Sequence, residues 1–590
     1  MTAPSEPLAP MQRLARVVRF GIVGVAATLT HAAILWLLAE RLGMRASLAT
    51  LLGFLTAFSV SYLGHYHFTF GSRVPHHQAL PGFAFAAITG AVLNVLIFVI
   101  MTDVFRANLW LAFATTIVTI PPVVFMLSKG LAFERAPDGP KRRDYRLLAA
   151  PVIFFALTAA YTLIFHYQLP YHDHWDIVPL WDAAQAGTLK PADLFVQHGS
   201  HWHASGYIVM LATAELTGMA HWPDVCISLL LAAFGFVALF EILRRTLDEL
   251  GEGRSLLRVT AAAAFIYFSL DQAANWLWGW QVAIFASMTG VVWCIALLMR
   301  PGLNWARMGL AAIAATVAIY GFATAWCLLP VGLFLIALAP VTTRQRRALA
   351  GFTWTLLFAA FFLHYSATRG NYGDTMLPHG NALETMLGVG HYLANYAASA
   401  VARIYKPASL LVAAAAVGAL GTIAGLSWMH FRKSLAAYRG LVALLAFSLG
   451  AGLLTALGRW QAFGPEQAFA NRYITLSNYA WLSVIVAGLI LLPKLGAKMR
   501  ILFVLALCGY VLAKSVNDTS AINTARLAMR VNAAGCELTL AAPDVPADAL
   551  ATISAPQQHI APRLTLLAAR DASLFRPDAI KRCREKQPHK

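Results

Sequence analysis

The sequence predicts an all-α polytopic membrane protein of about fifteen transmembrane helices. Three observations predict it. Of 590 residues, 59% are hydrophobic and only 12% are charged, about half the charged content of a soluble domain. Apolar runs long enough to cross a bilayer, about 20 residues each, recur along the chain. Lys and Arg gather in short clusters between those runs, as cytoplasmic loops of membrane proteins require. That distribution removes a nucleic-acid reading of the +18 net charge, and 6 cysteines are too sparse for a secreted disulfide scaffold.

Four runs occupy the first quarter: 17–38, 46–63, 83–101 and 109–132. The first has spanning length and no small-residue cleavage site, so it is expected to remain as a span. A basic break, Lys141-Arg142-Arg143, leads to eleven more: 147–167, 223–243, 256–273, 282–299, 303–320, 322–339, 349–364, 409–428, 441–457, 474–492 and 501–513. Segment 386–404 is apolar but broken by His391, Asn395 and Arg403. Counting it as a span would put His430-Phe431-Arg432-Lys433 outside, so it reads as an amphipathic helix on the outer membrane surface.

The expected units are a four-span unit (1–134), a basic cytoplasmic linker (135–146), an eleven-span unit (147–514) and an outer tail (515–590). In the tail, short alternations such as Glu537-Leu538-Thr539-Leu540 read as a strand or two. Cys536 and Cys583 are the cysteines well outside spans. An oxidising outer compartment permits a disulfide between them, though the sequence leaves their separation open.

The first unit opens span one with Arg19-Phe20 and Gly24. It closes span two with Ser61-Tyr62 and Phe68-Thr69-Phe70, and span four with Lys129 and Phe133. On these residues it resembles the GtrA-like family of small four-span proteins. That resemblance implies movement of a polyprenyl-phosphate (undecaprenyl-type) sugar across a bacterial inner membrane; the Lys/Arg bias of the loops separately predicts a cytoplasmic amino terminus and a periplasmic tail. It also allows a purely oligomerising or assembly role. Where the family commonly shows Asn and Trp, this chain has Gly64-His65-Tyr66-His67. Arg19, Asn94 and Lys129, with Thr28, Thr30 and His31, are candidates to line a polar translocation path, because such groups are costly facing lipid. Interhelical hydrogen bonding, with snorkelling of the two cations, is the simpler account of each.

The second unit begins with one helix and a long outer loop, 168–222, carrying Tyr171-His172-Asp173-His174-Trp175-Asp176. The loop also holds His198, His201, His203, His221, Asp182 and Asp193 against a single Lys190. A mere connector has no need of this composition. Transfer from a lipid phosphate requires a carboxylate to take the acceptor's proton and cations to stabilise the leaving phosphate. The layout resembles the GT-C superfamily of integral-membrane glycosyltransferases, which place an acidic motif just after the first helix and use polyprenyl-phosphate sugars. The resemblance makes Asp173 the general base. Asp176, three residues on, shares its face in a helix and orients it or binds a divalent ion such as Mg or Mn. His174, His198 and His201 suit acceptor binding, or simply an interfacial polar surface.

Two other outer segments face the same side. Asn275-Trp276-Leu277-Trp278-Gly279-Trp280-Gln281 suits a sugar-stacking platform led by Trp278, with Gln281 as the hydrogen-bonding contact; an interfacial tryptophan belt explains it equally. Arg459 and Arg472-Tyr473 are the basic residues of another short outer loop. The latter resembles an Arg-Tyr element found late in membrane glycosyltransferases of this class. Arg459 and Arg472 are expected to cradle the donor phosphate, since a guanidinium fork matches phosphate geometry. The expectation is a glycosyltransferase passing a lipid-linked sugar to a glycan, lipid or protein acceptor, as in cell-envelope polysaccharide assembly. The rival is a lipid-linked-sugar flippase or transporter with no chemistry of its own.

Overall fold

The structure is a computed structural model describing residues 10–41, 46–72, isolated positions from 74 to 87, and then 109–128, 145–199, 201–368, 381–403, 435–541, 547–553 and 560–586. Among these residues every element is helical. The lone bridge joins His198 and His201. Seven helices are long and apolar enough to cross a membrane, with three shorter apolar helices beside them, so the protein is an all-α multi-pass membrane protein. The chain divides into two compact units, Met1–Ala160 and Tyr161–Lys590.

In the first unit, α1 (Pro10–Trp36) packs along α2 (Ala46–Gly64), and α3 (Leu109–Leu127) adds a third side. An aromatic core ties them together. The ring of Phe20 stacks on His65 at 4.2 Å and meets Phe125 edge-on at 5.3 Å. The Gly64–His67 segment thus supplies core residues, His65 and Tyr66 being buried. Tyr66 donates to the Val74 carbonyl at 2.7 Å. Predicted span 83–101 lies almost wholly outside the described residues. Helix α4 (Ala149–Phe165) holds the boundary between the units.

The second unit continues with α5 (Ile177–Gln185), α6 (Ala204–Thr217), α7 (Trp222–Leu250), α8 (Leu256–Tyr267) and α9 (Ala273–Leu277). Next come α10 (Val282–Leu298), α11 (Trp305–Ile319), α12 (Leu328–Ala337), α13 (Arg344–Ala367), α14 (Ala382–Ala402), α15 (Leu435–Phe463), α16 (Asn471–Leu491) and α17 (Ala497–Asp518). Helices α10 and α16 form its centre and are buried on nearly every face, α16 from Tyr473 to Leu491. At Gly290 a side chain would meet the Ala314 carbonyl, which lets α11 lie close to α10. A buried ion pair, Lys514 Nζ to Asp271 Oδ2 at 2.5 Å, joins α17 to the turn after α8, and Asn478 accepts from the same ammonium at 3.1 Å.

Two of the predicted segments differ from expectation. Predicted span 256–273 is only a 12-residue helix, because Ser269 caps a polar turn through Asp271. Segment 386–404 does form a helix, α14, but its second half is enclosed by α15, α16 and α17 rather than lying on lipid. Small residues, Ala394, Ala398 and Ala402, let the helices approach closely there. Its first half does leave Leu383, Met386 and Leu387 exposed. Predicted span 409–428 lies outside the described residues.

The tail is helical where strands were expected: α18 (Ser520–Ala541), α19 (Ala547–Ile553), α20 (Ile560–Ala569) and α21 (Pro577–Lys586). The Glu537–Leu540 alternation is four residues inside an Ala-rich run of strong helix formers. One buried stripe, Ala521, Ala525, Ala528, Val531 and Leu538, recurs at helical spacing. A disulfide joins Cys536 to Cys583, with Cα atoms 5.2 Å apart.

Candidate functional site

The acidic motif folds as a tight helical turn, His172–Asp176, leading into α5. Trp175, Ile177, Val178 and Trp181 are buried in a core shared with α6 and the tail helices, and they anchor the turn. His172 takes φ 47°, a left-handed conformation uncommon for a residue with a side chain. In such a turn, positions three apart lie one above the other. Asp173 and Asp176 therefore emerge together on the solvent-accessible side of the turn, while His174 and Trp175 are buried.

His198 bridges the two acids. Its Nε2 lies 3.6 Å from Asp173 Oδ2, and its Nδ1 lies 3.3 Å from Asp176 Oδ2. Burial would lower the imidazole pKa, but the two carboxylates outweigh it and push it up to about 9. Burial likewise favours the neutral form of Asp173. His198, and the more distant Arg472 and His172, overcome it and hold the carboxyl below its ordinary value. Asp176 is held low by His198 and by Arg563 of α20, whose Nη1 donates to Asp176 Oδ1 at 2.9 Å. The result is an ionised carboxylate pair faced by an imidazolium and a guanidinium.

Aromatic rings floor this group. Trp280 meets His198 edge-on at 5.2 Å and stacks on His203 at 4.4 Å. Trp278 donates to the Tyr171 carbonyl at 2.9 Å and packs edge-on to the His172 ring, so it supports the turn from beside it. His201 pairs its backbone with His198, with the His198 N–H donating to the His201 carbonyl at 2.9 Å. Burial and the surrounding charges of His203, His198, Arg459 and Arg472 keep the His201 ring neutral.

The two arginines arrive from the ends of α15 and α16. Arg459 lies over the Phe463 ring at 5.3 Å, and Arg472 over Tyr473 at the same distance. Arg472 Nε is buried without a hydrogen-bond partner among the described residues. A buried guanidinium N–H left open in this way is costly unless an anion meets it. Asn471 accepts from Arg403 at 2.5 Å beside it.

The structure thus brings Asp173, Asp176, His198, His201, Arg459, Arg472 and Tyr473 into one electrostatic neighbourhood. It places two predicted contacts elsewhere. His174 is turned into the core against Asp224, and Gln281 is buried at the start of α10. In the first unit, Arg19 is exposed over the Phe68 ring at 5.4 Å, while Thr28 and Thr30 donate to carbonyls of their own helix. Asn94 and Lys129 lie outside the described residues. Arg563 was missed by sequence reasoning. Its only signal was a basic residue in a tail facing an acidic loop.

Residues 19–133 match the family described as GtrA/DPMS, transmembrane domain. No curated protein and no solved structure matches the chain.

Proposed function

We propose that this chain is a glycosyltransferase drawing on a polyprenyl-phosphate sugar at the outer face of a bacterial inner membrane. Its first four spans would deliver or flip that donor. The observation that carries the reading is the His198-bridged pair, Asp173 and Asp176, near an arginine with an unpaired buried N–H. The GtrA/DPMS match over residues 19–133 supports the lipid-linked donor, and the GT-C resemblance supports the transfer.

In this mechanism Asp173 takes the proton from the acceptor hydroxyl. The hydroxyl oxygen forms a bond to the anomeric carbon as the bond from that carbon to the phosphate oxygen breaks. The lipid phosphate leaves with the electron pair, and Arg472 and Arg459 stabilise the charge it gains. His198 holds the base ionised and aimed. A divalent ion of the Mg or Mn class at the acid pair would meet two protein cations, His198 and Arg563, on the oxygens it needs. The donor set does not suit it, and no step is routed through one.

The test is Asp173→Asn in purified full-length protein, with a polyprenyl-phosphate sugar donor and mass spectrometry of donor and product. Transfer should fall by about 10²–10⁴-fold while the protein remains membrane-inserted and folded. Unchanged transfer overturns the assignment. Donor flipping in proteoliposomes, unaffected by the substitution and with no transfer in the unsubstituted protein either, would favour the flippase instead.

A further inference from the structure

Behind the acid turn lies a second cluster that the transfer chemistry does not use. His174, His221 and Asp224 are all buried. Each offers one ligand atom, and these atoms lie within 4.8 Å of one another. His174 Nε2 is 3.6 Å from Asp224 Oδ2, and the two imidazole rings meet edge to face with centroids 4.8 Å apart.

The far sides of two of these groups are already held. Thr213 donates to Asp224 Oδ1 at 2.6 Å, and His221 Nε2 lies 3.0 Å from Ser573 Oγ. Ser573 is positioned with φ 52° and donates its backbone N–H to the Gly218 carbonyl at 2.9 Å. The other nitrogen of His221, Nδ1, is buried and has no hydrogen-bond partner among the described residues. Gly279 closes the cluster from above. A side chain there would stand 2.9 Å from Asp224 Cβ and 3.0 Å from His174 Cε1.

We propose that His174, His221 and Asp224 bind one zinc ion that pins the acid turn to the start of α7. Two imidazoles and a carboxylate form a donor set that zinc accepts at bonds of about 2.0–2.2 Å. Anchoring of the ligands by Thr213 and Ser573 is the outer-shell support such centres use to fix ring orientation. Zinc also supplies the positive charge that an otherwise isolated buried carboxylate lacks. Bonds of that length draw the three ligand atoms closer than they stand, to within about 3.5 Å of one another. His174 sits between Asp173 and Asp176 in the chain, so fixing it inward fixes both acids outward. The centre is structural and stands whether or not the chain transfers sugar.

Elemental mass spectrometry of the full chain, purified in detergent without chelator and equilibrated with micromolar free Zn²⁺, tests this. The expected result is about one zinc per chain, falling at least about tenfold in His174→Asn, His221→Asn and Asp224→Asn. His198→Gln, which alters the half-buried bridge between Asp173 and Asp176 and none of the three ligands, should keep its zinc. Co²⁺ titrated into zinc-stripped unsubstituted protein should give the intense visible absorption of a tetrahedral N/O site, and this reading stands even if a variant fails to fold. A metal-free wild type without cobalt absorption, full zinc in all three ligand variants, or loss of zinc in His198→Gln would each overturn the proposal.

Discussion

His198 sets the charge of the candidate site. Its pKa stands at about 9 in the fold against 6.5 when free, because two carboxylates flank it. A raised pKa of this kind contributes stability that is complete below about pH 6.5 and is lost as pH rises through about 9. The melting temperature of wild type in detergent should therefore decline across that interval. His198→Gln should start lower at neutral pH and lose that decline. An identical slope in both proteins would show that the imidazolium does not bridge the acids. Transfer should follow the same basic limb, since the base is aimed by the charge that disappears. His198 and the acids were legible in the sequence, because histidine and aspartate crowd one loop that has little other reason to hold them. The inward turn of His174 was not. A six-residue motif does not reveal which of its members face the core, although the neighbouring Trp175 was a hint of burial.

The tail is the element whose role is least visible in the amino-acid order. Its helices share a core with the acid turn, and two of its arginines reach loop carboxylates: Arg563 to Asp176 and Arg570 to Asp182. The disulfide closes 47 residues around this cap. Loop-closure entropy puts its contribution at about 4 kcal/mol for a loop of that length. Cys536→Ser should accordingly lower resistance to denaturant, expose α20 and α21 to protease, and depress transfer more than any effect on the membrane helices. Unaltered cleavage and transfer would separate the bridge from the site. Spans were readable because a bilayer demands length and apolarity. The tail was misjudged because a four-residue alternation carries less weight than the helical stripe around it. The second half of α14 was misplaced for a related reason: its polar residues find partners away from water, Asn395 donating to the Pro465 carbonyl of the turn after α15 and Ser399 to the Tyr396 carbonyl of its own helix.

At the scale of the whole molecule, the proposed fusion of a transferase to a donor-handling unit would keep the delivered lipid at high effective concentration. If the first unit moves the donor, Lys129→Ala in the full chain should slow use of donor supplied from the inner leaflet. A hydrogen bond to a charged group is worth about 1.5–3 kcal/mol, so the loss should reach about tenfold or more. Donor presented on the outer leaflet should be used at the normal rate. Equal loss from both leaflets would place Lys129 in general folding instead. The link between Asp176 and Arg563 carries one more consequence, for the order of manufacture. A ribosome reaches the arginine 387 residues after the aspartate. The last helices must then pack against the loop before the acid pair has its full set of partners. A half-made chain thus lacks one partner of its acid pair until its final segment is synthesised.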